Sequence, residues 1–182
     1  MSTATTCSRC LRACSRAGTI ELVRSRMSNL HERIATFERQ ASVLSAWSAG
    51  LTRDQLLATP VAGTWSMQTL IVHMLDSDLA ATHRMRRIVA EELPLLIAYD
   101  ETAFAARCHY AQADIAQVCQ LFAANRTFTA MWLRTLGPTD FTRQGVHNQR
   151  GKVSLDDMLN IYTDHVIHHE RFALAKRAAL LK

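Results

Sequence analysis

The sequence predicts an all-α protein built as a four-helix bundle, and three observations carry that prediction. The 182 residues include only 3 prolines and 6 glycines while hydrophobic residues make up 48%, a composition that suits long helices rather than a strand-rich sandwich with frequent turns. A chain of this length buries one core and is too short to expect two. Four segments return apolar residues every three or four positions, the period of a helix with one buried face.

The first segment runs from about Ser28 to Ser48, with Leu30, Ile34, Phe37, Ala41 and Leu44 on one face. A turn-rich stretch from Ala49 to Thr64, containing Pro60 and Gly63, separates it from the second. That helix starts near Ser66, with Thr64 or Ser66 as N-cap, and runs to about Glu92, where Pro94 stops it. A connection of mixed polarity, Leu93 to Ala111, reads as irregular and long enough for a crossover. Ile115, Val118, Phe122, Thr129, Trp132 and Leu136 mark the third helix, ended by Gly137 and Pro138. A polar loop, Thr139 to Val153, leads to the fourth, where Ser154 and Asp157 form a capping box and the helix continues to about Leu181. Four such helices are the pattern of a bundle.

The formal charge of +5 is unevenly spread. Five arginines (Arg9, Arg12, Arg16, Arg24, Arg26) stand against Glu21 at the start of the chain, which leaves the rest nearly neutral. Such a body offers no basic stripe to phosphates, so nucleic acid is not an expected partner. Residues 1–27 are therefore set apart as a basic extension, and residues 28–182 as the bundle. The extension holds Cys7, Cys10 and Cys14 at C-x2-C-x3-C spacing. Three thiolates could hold a metal, but no further Cys or His precedes His31 to complete a closed site. The other reading is an extension without a fold of its own, with Met27 as a candidate start of translation. Its Arg-rich, Ser-rich, acid-poor character also matches an organelle transit peptide. No stretch has the apolar length of a secretory signal or a membrane span. Cys108 and Cys119 follow no disulfide framework, which suits a reducing cytoplasm.

On a helical wheel begun at Leu155, Met158, Tyr162, Val166 and Phe172 centre the apolar face of the fourth helix near 320°, with His165 at about 280° and His169 at about 320°. Two imidazoles one turn apart thus point inward. A pair of core histidines satisfied by hydrogen bonds is the bland explanation. Ligation of one ion by both rings is the other, and the spacing favours it. A third ligand would come from another helix. Among His31, His73, His83, His109, His147 and His168, His73 stands out, beside the apolar arc of the second helix and followed by small residues at Ser77, Ala80 and Ala81. His83 falls on the polar side, His168 is marginal, and His147 sits in a polar loop.

The run Trp65-Ser66-Met67-Gln68-Thr69-Leu70-Ile71-Val72-His73, then Gly151-Lys152-Val153-Ser154-Leu155, then Asp164-His165-Val166-Ile167-His168-His169, resembles the DinB and YfiT-like superfamily over residues 28–181. The resemblance implies an up-down-down-up four-helix bundle, often dimeric, with His73, His165 and His169 as metal ligands. Its characterised enzymes include thiol-dependent S-transferases and a thiol-dependent isomerase, and many members are described only as metal-dependent hydrolase candidates. Such a fold does not settle the reaction.

Three neutral imidazoles leave an ion with an open position, the arrangement of a catalytic site. The expected cofactor is one divalent ion, zinc first, with nickel, iron or manganese as alternatives. Water or a low-molecular-weight thiol could be activated there to act on a small molecule, as a hydrolase or an S-transferase. A non-catalytic metal-binding, stress-response or ligand-binding module is the alternative. Carboxylates are expected to orient the ligand rings. Asp78, in the middle of an apolar arc, either does this or pairs with Arg84 or Arg126. Asp76, Asp164 and Glu170 read as solvated charges.

Overall fold

The structure is a computed structural model and describes residues 29–181. The extension with Cys7, Cys10 and Cys14 lies outside the described residues. Helix α1 (residues 29–39), α2 (Val43–Ser48), α3 (Arg53–Leu57), α4 (Met67–Ala90), α5 (Glu101–Arg107), α6 (Ile115–Leu133) and α7 (Leu155–Leu180) are joined by short 3-10 turns and three strands, β1 (Leu95–Leu96), β2 (Gln144–His147) and β3 (Gly151–Ser154). The bundle is four-helical, with α1 and α2 together forming one arm and α4, α6 and α7 the others. Among the described residues no helix is long and apolar enough to cross a membrane.

The long helices start where their caps dictate. The Ser66 side chain accepts from Thr69 N at the head of α4, while Ser154 and Asp157 form a reciprocal capping box on α7, each satisfying donors that have no partner within the helix. Their apolar stripes make two clusters. One gathers Leu44, Trp47, Ile71, Met74, Phe122 and Val166, and the other Phe37, Met85, Ile88, Leu133, Met158 and Tyr162.

A polar layer lies between them. On α4 it is Asp78, between Leu75 of the first cluster and Ala81 of the second, and on α6 it is Arg126, between Phe122 and Ala130. Arg126 donates to Asp78 Oδ1 (2.9 Å), Tyr162 O (2.7 Å), Gln40 Oε1 (2.6 Å) and Phe37 O (3.2 Å). Phe37 O is the acceptor that Ala41 N would use in an unbroken α-helix, and here the chain tightens into a 3-10 turn at Gln40–Ser42. The first predicted helix is accordingly two pieces, broken beside the Phe37 carbonyl that a buried guanidinium engages.

The connections expected to be irregular hold structure of their own. Ala49 to Thr64 contains α3, Leu93 to Ala111 contains β1 and α5, and Thr139 to Val153 contains β2 and β3. The strands form one sheet in the order β1-β2-β3, with β1 parallel to β2 and β2 antiparallel to β3. Ser154 closes β3 opposite Gln144 and is at once the N-cap of α7. α4 ends at Ala90, before the position that Pro94 would enforce, and α6 ends at Leu133 rather than at Gly137.

Candidate metal centre

Helices α4 and α7 bring three rings to one point. His73 is fully buried on α4, and His165 and His169 are half-buried on α7, one turn apart. One ring nitrogen from each lies within 4.8 Å of the others. The ring of His73 meets those of His165 and His169 edge-on, with centroids 5.3 and 5.1 Å apart. The Nε2 atoms of His165 and His169 are 3.0 Å apart, close to the ~3.3 Å that two ligands at zinc–nitrogen distances of about 2.0–2.1 Å span on a tetrahedral ion.

The wheel had the depths reversed. It placed the α7 pair inward and His73 at the flank, whereas His73 is the deep ligand and the α7 pair forms the rim. Phe172, counted in the core, is in fact 42% exposed, which moves the centre of the buried face away from His165. Met158, Tyr162, Val166 and Ala173 set the buried face of α7, which leaves His165 at its edge, while His169 lies within that arc and is half-buried where the cleft opens over it.

Both nitrogens of His73 are buried without a hydrogen-bond partner among the described residues. Orphaned polar atoms of this kind cost about 1–3 kcal/mol apiece unless something fills the gap, and a cation relieves the one of the two nitrogens that carries the lone pair. Burial first, then His169 and His73, push His165 down to about 3, and burial and His73 push His169 down to about 4. Burial also lowers His73, against the pull of Glu101 and Asp76. All three rings are therefore neutral at physiological pH, the protonation state a metal requires.

The carboxylates are placed differently from expectation. Asp78 pairs with Arg126 and accepts from Asn125 Nδ2, so it supports the bundle and orients no histidine. The partner of His165 Nδ1 is the Ser77 hydroxyl at 3.5 Å. Asp76, read as a surface charge, is half-buried and accepts from the Tyr110 hydroxyl. Glu101, which the sequence did not single out, stands 4.0 Å from His73 Nε2. His83 and His168 are exposed, as are His31 and His109. His147 is in β2 rather than in a loop, and it is buried.

A cleft of about 580 Å³ opens over His165 and His169 and is walled by Arg84, Tyr99, Glu101, His147, Arg150 and Tyr162. The Tyr99 hydroxyl is buried there without a hydrogen-bond partner among the described residues, and burial pushes it up to about 12, so it remains a neutral donor. Helices α4 and α7 supply most of this wall, and the connections expected to be irregular add Ala98, Tyr99 and Glu101 around the start of α5 and His147, Gln149 and Arg150 from β2 and its turn.

Residues 36–173, well over half of the chain, match the DinB superfamily. The chain belongs to the DinB superfamily. Among its family relatives, a protein of Oceanobacillus iheyensis is 28% identical over 140 residues, covering 77% of this chain and 81% of the relative. One from Bacillus pumilus is 31% identical over 118 residues, covering 64% and 67%. Both carry the name of a candidate metal-dependent hydrolase. Of solved DinB-like folds, YfiT from Bacillus subtilis, described as a metal-dependent hydrolase candidate with an unusual four-helix bundle topology, superposes with a TM-score of 0.76 at 24% identity, covering 81% of this chain and 85% of that one. A mycothiol-dependent maleylpyruvate isomerase superposes with a TM-score of 0.62 at 16% identity, covering 78% and 59%. These two likenesses show the fold.

Proposed function

We propose that His73, His165 and His169 hold one divalent ion, zinc before nickel, iron or manganese, and that this DinB protein is a metal-dependent enzyme acting on a small molecule bound in the adjoining cleft. The observation that carries the reading is the pair of partnerless nitrogens on fully buried His73, opposite two neutral rings whose Nε2 atoms converge. An ion bound there supplies Lewis acidity that lets a weakly acidic nucleophile lose its proton near neutral pH. His73 anchors the site from the core, and the half-buried α7 pair leaves the cleft side open to the nucleophile. Tyr99 offers its unused hydroxyl proton to charge that develops on the substrate.

The nucleophile we favour is a low-molecular-weight thiol, supported by a cleft large enough for two small molecules and by the thiol-dependent isomerase that shares the fold. Water is the second reading. It is favoured by Glu101, a carboxylate within 4.0 Å of His73 Nε2 that can take a proton from water at the site, and by the hydrolase names of the relatives. Neither reading uses the chain's own described cysteines, since neither Cys108 nor Cys119 lines the cleft.

Turnover of a model electrophile, with and without an added thiol, tests both. Thiol- and metal-dependent turnover that survives a Cys108→Ser, Cys119→Ser double substitution and fails in His73→Ala supports S-transfer. Metal-dependent turnover without thiol supports hydrolysis. Turnover that His73→Ala leaves intact overturns both.

A further inference from the structure

The cleft contains a cation that no acid among the described residues neutralises. Arg84 is 8% exposed, yet among the described residues no carboxylate forms an ion pair with it. Its guanidinium donates to two neutral oxygens, Nη1 to the Tyr162 hydroxyl (2.6 Å) and Nη2 to Ile97 O (2.5 Å). Buried arginines are ordinarily paired with an acid, because a guanidinium held out of water without a counterion is costly.

Two further basic side chains line the same cleft. His147 is buried in β2, and Arg150 follows it in the β2–β3 turn. All three groups line the one cleft, and burial and then the charges of Arg84 and Arg150 keep the His147 pKa below its usual value. The acids of the cleft stand elsewhere. Glu101 is beside His73, and Asp164 precedes His165 on α7 and makes no ion pair with Arg84 or Arg150 among the described residues. Tyr162 links the two ends: it holds Arg84, and its ring is 6.2 Å from that of His165.

The structure assigns to Arg84, with Arg150 and His147, the binding of an oxyanion on the substrate or cosubstrate, a carboxylate or phosphate carried on a molecule whose reacting end faces the three histidines. This assignment rests on the proposed function for the position of the reacting end, and on the unpaired guanidinium for the anion. The fork of Arg84 retains N–H donors beyond the two it has used. An oxyanion there would accept a charge-assisted hydrogen bond in a partly desolvated place, where such bonds are strongest.

The test uses full-length protein loaded with cobalt(II). It is titrated with ω-mercaptobutyrate, ω-mercaptohexanoate and their methyl esters, following sulfur-to-cobalt charge-transfer absorption. The better-fitting acid is expected to bind about tenfold more tightly than its ester, a factor that one charge-assisted hydrogen bond supplies. Arg84→Gln and Arg150→Gln should each shrink that ratio while leaving the ester's affinity unchanged. Arg150 is exposed, so its variant keeps the test open if Arg84→Gln, which removes the tie between Tyr162 and Ile97, fails to fold. Equal affinity for acid and ester, or a preference that survives both substitutions, overturns the assignment.

If no thiol gives a charge-transfer band, thiol activation fails separately. Calorimetric titration with glutarate, dimethyl glutarate and phosphate then reads the anion site alone. Tighter binding of glutarate or phosphate that Arg84→Gln or Arg150→Gln weakens upholds it and says which oxyanion it prefers. Binding indifferent to both variants rejects it.

Discussion

Arg126 Nε donates to Asp78 Oδ1 across 2.9 Å, and the two side chains are only 1% and 2% exposed. Burial disfavours both charges, so the pair persists because Asn125, Gln40 and the Phe37 and Tyr162 carbonyls complete its hydrogen bonds. Asp78→Ala strands a buried cation and should cost about 3–5 kcal/mol, read as a fall in the urea midpoint. The Asp78→Leu, Arg126→Met double variant should lose much less. Equal losses would show that the pair itself is the stabilising element.

Metal content is the second expectation. Wild-type protein should carry one divalent ion per chain, and His73→Ala, His165→Ala and His169→Ala should each lower that occupancy, measured by elemental analysis on folded protein. Full occupancy in all three would place the ion elsewhere.

The pH dependence has a definite sign. In the folded metal-free protein His165 and His169 stay neutral until about pH 3 and 4, whereas in the unfolded chain they take up protons near the ordinary 6.5. The unfolded state therefore binds more protons between these limits, and stability falls as pH drops below about 6.5. Chelator-treated protein should show a lower denaturation midpoint at pH 5.5 than at pH 7.5, and His165→Asn should flatten that slope. For the same reason added zinc should still bind at pH 5.5, where an ordinary histidine site is mostly protonated.

Gly145 supplies the fourth. A Cβ there would lie 2.9 Å from Leu96 Cδ1 and 3.0 Å from the Pro94 carbonyl oxygen. That carbonyl is fixed by its bond from Val146 N, so β1 cannot yield cheaply. Gly145→Ala should destabilise by about 1–3 kcal/mol, as overpacking does. It should also weaken anion binding, because β1 runs on to Ile97, whose carbonyl holds Arg84. An unchanged midpoint would mean that the strands separate freely.

Much of this was legible in the sequence, and the exceptions share a cause. The cap at Ser154 was readable, and Ser66 was one of two candidates with Thr64, because capping is local chemistry. His165 and His169 were readable as a pair because i, i+4 spacing fixes their mutual geometry. Their depth was not, since a wheel sees only its own helix, and the buried face of α7 is chosen by what α4 brings against it. Phe172 misled because an aromatic beside the site counts as core on a wheel. β1 has two residues and no period to detect, so the strand environment of His147 and the unpaired state of Arg84 were out of reach.

Strand β3 passes into α7 with no residue between them, and Ser154 belongs to both. The ladder opposite Gln144 therefore sets the rotational phase of the helix that carries His165 and His169. Each residue added at that junction would turn α7 by about 100° and advance it by about 1.5 Å, sweeping both rings away from His73. An extra residue in the Asn148–Arg150 turn would be absorbed at the far end of the hairpin instead. Length variation in this stretch should be tolerated on one side of the ladder and forbidden on the other.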